Sequence, residues 1–465
     1  MKSNNRDRSQ ASSTLLDGTV YSQRKNWCPF TSSPVESYIP IVGEDRIAAL
    51  QRVAQGLNGL KMLELSATAR GGGVAEMLYS SIPFLNALGI ETEWRIINGN
   101  EGYFECTKKL HNLLQGMKGS FTAEMRRIYL KQLEEYASAY PIDTSPDVVV
   151  VHDPQPLGIS RYLHKNSETW IWRCHIDVEP VVKSRNGLLK YITNWITYYD
   201  AAILSAVHYI YPPWPLPKFV IPPFIDPFSE KNRELTEEEI DKVLIKYQID
   251  PSLPIIAQIG RFDPWKGLDR TIAVYRRVRE DMKCQLILAG GFADDDPEGE
   301  RVLEDVRSKT NGDDGIHVLK LSLDNRLDNY REVNALQRAA SIIMQPSTRE
   351  GFGLVITEAL WKGKPVIAGN VGGIPLQVRH GDTGYFYQDT SETAQLVMYL
   401  LNNPKVAAMV GKNGRKHVER HFILPDRIAD FLRAIDMTMN SGLNKKRHHE
   451  SITSFHPWFT RDMLG

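Results

Sequence analysis

Ser341 to Gly369 reads SIIMQPSTREGFGLVITEALWKGKPVIAG. Ser341–Met344 is a short apolar run closed off by Pro346, and Pro365–Ala368 is a second. Between them Gly351-Phe352-Gly353 opens an apolar stretch too long for a strand. Strand, tight turn, helix and strand make a βαβ unit, which requires a parallel sheet. The turn also carries chemistry. Gly351 and Gly353 permit a bend that leaves the amides of Gly353 and Leu354 facing a phosphate at a helix N-terminus. Glu350 stands just outside that helix, where it can accept hydrogen bonds from sugar hydroxyls. Glu358 lies five residues beyond Gly353, about 7.5 Å further along the axis. That offset suits a sugar on one carboxylate, a ribose on the other and a pyrophosphate between them. In a chain with 24% charged residues a glutamate pair alone means little, so its weight depends on what surrounds it.

Outward from this unit the same alternation continues. Ile255–Ile259, Gln285–Ala289 and Ile316–Leu319 read as further strands with helices between them. An earlier series comprises Met62–Leu65, Trp94–Ile97, Asp147–Val151, Trp170–Arg173, Ala202–Leu204 and Phe219–Ile221. YPPWPLPKFVIPPFIDP, Tyr211 to Pro227, separates the two series and is too rich in proline for a helix or a central strand. The expected organisation is therefore a Ser/Asn/Pro-rich, loosely held extension at 1–40, a Rossmann-like domain at 41–220, a second at 221–420, a C-terminal helix at 421–440 and a tail at 441–465. Two facing α/β domains hold ligand in the cleft at the carboxyl ends of their strands.

Composition excludes several classes. Lys plus Arg and Asp plus Glu number 56 each, which argues against nucleic acid or an anionic membrane as the main partner. Cys28, Cys106, Cys174 and Cys284 form no CxxC pair and read as reduced thiols. With no apolar leader in MKSNNRDRSQASS and no apolar run of membrane length, a cytoplasmic location is expected.

Two more turns follow strands. SATARGGGVAEML, Ser66 to Leu78, opens a helix after Met62–Leu65; Gly72 and Gly73 would let the backbone approach an anion, or form only a flexible turn. IGRFDPWKGLDRTI, Ile259 to Ile272, brings Arg261 and Lys266 toward one cleft. Arginine as a fork and lysine as a point charge suit a diphosphate, although a solvated basic turn has the same spacing. A dinucleotide cofactor is disfavoured because neither glycine turn is GxGxxG.

Glu350 to Glu358 matches the E-x7-E motif of retaining GT-B glycosyltransferases. More narrowly, GGGVAEML, HNLLQG, VVVVHDPQP, WIWRCHID, DDPEG, REVNALQRA, STREGFGL and TEALWKGKPVI resemble the trehalose-synthesising transferases and their trehalose phosphorylase relatives. The resemblance spans roughly Gly71 to Gly384. It implies an α/β protein of GT-B architecture, two Rossmann-like domains facing across a deep cleft with helices at the C-terminus. It implies that Arg261 and Lys266 hold a leaving diphosphate, that Glu350 binds donor-sugar hydroxyls and Glu358 the ribose, and that Gly72, Gly73, Gly353 and Leu354 line the donor site. His175 would face the donor sugar, with His152 as a support, and Asp153 would bind acceptor hydroxyls. From the residues alone, His175 reads first as a buried structural histidine, and Asp153 reads equally as a turn former before Pro154.

The implied activity is retaining, reversible transfer of glucose from a nucleoside diphosphate glucose onto glucose, giving α,α-trehalose by a front-face mechanism. No cofactor or metal is implied; partners would be sugars, a nucleoside diphosphate and, by analogy with relatives, a second copy of the chain. Three alternatives stay open: phosphorolysis of trehalose to glucose 1-phosphate, transfer to another acceptor, and a non-catalytic sugar sensor. The last predicts damage at Arg261, Lys266, Glu350 or His175, and all four are intact.

Overall fold

Val148–Val151 is apolar at every residue, the pattern of a strand covered on both faces. The computed structural model describes residues 20–21, 34–69, 72–142, 145–163, 168–176, 186–291, 297–322 and 325–442, and sorts such runs into two sheets. The first holds β1 (Val20–Tyr21), β2 (Lys61–Ser66), β3 (Glu91–Ile96), β4 (Val148–His152), β5 (Thr169–Cys174), β6 (Ala201–Leu204) and β7 (Lys218–Val220), in the order β1-β3-β2-β4-β5-β6-β7. Its strands are parallel apart from β1, which runs against β3. The second holds β8 (Ile255–Ile259), β9 (Gln285–Gly290), β10 (Ile316–Lys320), β11 (Ile342–Gln345), β12 (Val366–Ala368) and β13 (Tyr385–Phe386), all parallel, in the order β10-β9-β8-β11-β12-β13.

In both sheets the strand order reverses beside the first long strand, between β2 and β4 and between β8 and β11. A crevice opens at the carboxyl ends of strands where the order reverses. The glycine turn before the Gly73–Ala87 helix follows β2, and the Glu350 turn before the Leu354–Trp361 helix follows β11, so the topology delivers the motifs to two such crevices.

Every strand expected from an apolar run is present, and β3 begins three residues early at Glu91. β1 and β13 were not expected; each has two residues and exists through pairing with a longer neighbour. The proline-rich stretch 211–227 carries β7 before the chain crosses to the second sheet. β7 is an edge strand, so the prolines around it interrupt no interior ladder.

Within the expected loose extension over 1–40, residues 35–40 are instead helical and packed. The 3-10 turn Val35–Tyr38 puts two buried side chains three positions apart on one face. The Tyr38 hydroxyl donates to Asp226 at 2.8 Å, and its ring meets Phe84 edge-on with centroids 5.3 Å apart. Residues 1–19 and 22–33 and the expected tail from 443 lie outside the described residues.

The C-terminal helix, Leu424–Gly442, packs on the first domain rather than the second. Ile225 N–H donates to Phe422 O at 2.9 Å and Leu424 N–H to Ile225 O at 3.1 Å, stitching the crossover to the chain's return. Arg46 then pairs with Asp426 at 2.7 Å. One apolar cluster runs through both domains, from Leu50 and Phe84 through Ile259 and Phe352 to Phe431.

Candidate active site

A side chain from β8 braces the turn that follows it, and a backbone bond ties that turn to the one after β11. Gln258 Nε2 donates to Lys266 O at 2.7 Å, and Thr348 N–H donates to Trp265 O at 2.8 Å. The Arg349 guanidinium lies over the Trp265 ring, 4.1 Å from its centroid. This frame brings Lys266 Nζ to 2.5 Å from Glu350 Oε2, with Ser347 Oγ at 3.4 Å from the same oxygen. Gly353, with φ +83°, is the left-handed residue that ends the turn and caps the Leu354 helix with no side chain over its amides. A Cβ there would come 3.1 Å from Glu350 Cγ, so the glycine also makes room for the carboxylate. Arg261 is different: its side chain is 53% exposed and touches Asp263 at 3.5 Å. Across from it stands His111 of the Glu101–Leu114 helix, driven down to about 4 by burial and then by the Arg261 charge. Lys108 on that same helix reaches Glu298 of the second domain at 3.2 Å.

The other expected glutamate sits elsewhere. Glu358 is 1% exposed. Its Oε1 lies 3.0 Å from Lys231 Nζ, and its Oε2 accepts from Gln337 Nε2 at 3.4 Å. Lys231 also holds Glu76 of the Gly73 helix at 2.9 Å through both oxygens. Burial disfavours the Lys231 charge, but Glu358 and Glu76 outweigh it and hold the ammonium above its ordinary value; burial raises Glu76 against the pull of Lys231. Beside this cluster lies a cavity of about 360 Å³ whose walls include Tyr79, Tyr330, Leu354 and Glu358. Glu350, Arg261 and Lys266 are not among its lining residues.

The first domain supplies the facing wall. Gly72 caps the Gly73–Ala87 helix without a side-chain bond, and a Cβ on Gly73 would meet Leu354 Cδ1 at 3.1 Å. Two uncapped helix N-termini therefore approach each other here. Gly71 and most of the acidic 293–299 loop lie outside the described residues. After β4, Asp153 takes φ +64° and turns its carboxylate back, where Oδ1 accepts the His175 N–H at 2.7 Å. Burial raises Asp153 to about 6, opposed by that hydrogen bond. The His175 ring nitrogen Nε2 is 3.1 Å from His152 Nδ1, and His152 Nε2 is 2.6 Å from Glu64 Oε2. Burial, then the Arg173 charge, holds His175 well below the ordinary histidine range. Arg173 is itself buried beside the Phe431 and Phe224 rings, at 5.0 and 6.0 Å from their centroids, and burial lowers it to about 10.

The domains touch at His175. A Cβ on Gly351 would stand 2.7 Å from the His175 carbonyl oxygen, and the Tyr209 hydroxyl donates to Gly351 O. Of the expected residues, then, the fold joins His175 to the Glu350 turn, Lys266 to Glu350, Gly73 to Leu354 and Asp153 to His175. It leaves Arg261 open toward His111 and sets Glu358 apart with Lys231. Glu64, Glu76, Lys231 and His111 were not foreseen. Glu64 had a signal, since it is a carboxylate inside the apolar strand KMLELS; Lys231 had only its place after a run of prolines and aromatics. Among the described residues no group of His, Cys, Asp and Glu could hold a metal ion, and no helix is long and apolar enough to cross a membrane.

Comparison with known proteins gives this geometry a family. Residues 64–211 match the family described as "Trehalose synthase, N-terminal domain", and residues 239–417 match "Glycosyl transferases group 1". The chain is 40% identical over 401 residues to the trehalose synthase of Pyrococcus horikoshii, covering 86% of this chain and 95% of that one. It is 27% identical over 461 residues to a trehalose phosphorylase of Grifola frondosa, covering 89% of this chain and 62% of that one. Among solved structures, a sucrose-phosphate synthase from Thermosynechococcus elongatus superposes with a TM-score of 0.63 at 19% identity, over 82% of this chain and 100% of that one. Matched in sequence along most of its length and in fold across both domains, the chain belongs to the trehalose synthase family of glycosyltransferases, built on the GT-B fold.

Proposed function

We propose that the protein transfers glucose, with retention, from a nucleoside diphosphate glucose to the hydroxyl of a second glucose, forming α,α-trehalose reversibly. The observation that carries this reading is the Lys266–Glu350 pair on the turn that abuts His175. A diphosphate entering between Arg261 and Lys266 competes for the ammonium. Once Lys266 turns to phosphate, Glu350 is free to accept hydrogen bonds from the donor sugar. The C1–O bond to phosphate then breaks as positive charge builds on the ring, and the two cations stabilise the departing negative charge. The acceptor oxygen bonds to C1 on the same face, and its proton passes to the leaving phosphate oxygen. Glu350 sits on the phosphate turn, so the two-carboxylate scheme of glycosidases does not apply. Asp153 binds the acceptor, and closure of the two domains excludes water. Arg261 and Lys266 supply the positive charge that a metal would otherwise bring, so activity should survive excess chelator; its loss would overturn that part of the mechanism.

One observation favours a second reading. Both Glu358 oxygens already have partners inside the protein, so a ribose would have to share the carboxylate with Lys231 and Gln337. A phosphorylase, converting trehalose and phosphate into glucose 1-phosphate and glucose, needs no contact to Glu358. Calorimetric titration with UDP, ADP, GDP and inorganic phosphate, each with and without trehalose, separates the two. Tight binding of one nucleoside diphosphate, strengthened by trehalose, supports the synthase and names the donor. Phosphate binding coupled to trehalose, without nucleotide binding, makes the protein a phosphorylase.

A further inference from the structure

Glu64, His152 and His175 form a row across three neighbouring strands. Glu64 is opposite Val150, and His152 stands two residues beyond Val150; His152 is opposite Arg173, and His175 stands two residues beyond Arg173. A step of two keeps the same face of a sheet, so the row climbs diagonally from the buried centre of β2 to the carboxyl end of β5. All three residues are buried, at 1%, 2% and 9% exposure. A row of polar side chains inside a sheet this apolar has to satisfy itself, and along it the neighbouring Arg173 keeps Nε and Nη2 buried without a partner among the described residues. His175 Nδ1 is buried and has no hydrogen-bond partner among the described residues.

The chemistry of the row sets where its protons lie. A carboxylate only accepts, so the 2.6 Å contact places the His152 proton on Nε2. In a neutral imidazole the other nitrogen is then an acceptor, so the 3.1 Å contact carries a proton from His175 Nε2. The remaining nitrogen of His175 is left with a bare lone pair. We infer that Glu64 and His152 are positioning residues that fix His175 in its Nε2–H form, so that Nδ1 accepts a hydrogen bond from a hydroxyl of the sugar bound in the cleft. This rests on the proposed reading that His175 faces the sugar. A carboxylate behind an imidazole sets ring orientation and tautomer in the same way elsewhere, and here the setting passes through a second ring.

Ring-nitrogen NMR of the full chain tests this, with the His175 signals assigned by their loss in His175→Asn. The expected spectrum shows Nε2 protonated and Nδ1 bare, and the Nδ1 signal moves when trehalose is added together with whichever of UDP, ADP, GDP or inorganic phosphate the protein binds. Glu64→Gln keeps the shape but can offer a donor or an acceptor. It should let the second tautomer appear and weaken trehalose binding roughly tenfold. A proton on Nδ1 in the unaltered chain, or on both nitrogens of His152, overturns the relay whether or not Glu64→Gln folds. Trehalose that binds by calorimetry yet leaves Nδ1 unmoved overturns the sugar contact while sparing the proposed function. Trehalose that binds with none of UDP, ADP, GDP and phosphate overturns the functional reading, and the sugar contact with it.

Discussion

At the scale of single residues the site is a set of pairings that a substrate has to exchange. Lys266 and Glu350 neutralise each other at 2.5 Å, so removing either also alters the other. Glu350→Ala should lower kcat/KM by about a hundredfold, the size of lost hydrogen bonds to a charged group, with an unchanged unfolding transition; normal turnover would remove Glu350 from the site. Lys266→Ala should weaken nucleoside diphosphate binding by a similar factor while trehalose binding changes little, and equal losses would point to general destabilisation. Asp153 makes a pH prediction. Its carboxyl is raised to about 6 in the fold, against about 3.9 in an unfolded chain. The folded form holds the proton more tightly, so this group favours folding below about pH 4 and loses that contribution as pH rises through 6. If the ionised form binds the acceptor, kcat/KM for glucose should climb across pH 6, and Asp153→Asn should flatten that limb. A limb that persists in the variant assigns it to another group.

At the scale of elements, strands and turns were legible because their signals are local. Apolar runs marked the strands of both sheets, and glycines after strands marked both helix N-termini. What was not legible depends on partners far apart in the chain. The two-residue β1 and β13 carry no pattern of their own. Tyr38 lay in a polar, proline-rich segment whose burial depends on Asp226 and Phe84. Glu358 was expected to hold a ribose; that it also faces Lys231 follows from how the crossover passes between the Gly73 and Leu354 helices, which spacing along one helix does not reveal. The contact of two turns makes its own prediction. In Gly351→Ala a Cβ would stand 2.7 Å from the His175 carbonyl, where backbone meets backbone and neither side has a rotamer to yield. The variant should lose about 1–3 kcal/mol of stability and should slow turnover as the domains are wedged apart. Thermal unfolding and steady-state kinetics check both, and a variant as stable as the parent would show that the interface opens freely.

At the scale of the whole molecule, the domains are joined by more than the crossover near residue 220. The C-terminal helix contributes Leu424, Ile428, Phe431, Leu432 and Ile435, each no more than 1% exposed, to the cluster that also holds Leu50 and Phe84. Burying five such side chains is worth on the order of 10 kcal/mol, as much as the whole stability of an ordinary domain. A chain ending at Ile423 should therefore fail to fold its first domain, seen as lost cooperative unfolding and rapid proteolysis; a cooperative transition from that shortened chain would show the helix to be an accessory.

The return of that last helix also bears on the order in which the protein can be made. Synthesis proceeds from the N-terminus, and domains ordinarily fold as they emerge. Here the first half to leave the ribosome lacks one wall until residues 424–442 have followed it. The second domain, whose sheet is complete once β13 has emerged at Phe386, can settle earlier. The half that is translated first is thus the half that finishes last, and through that interval its exposed apolar face is the part of the nascent chain most in need of a chaperone.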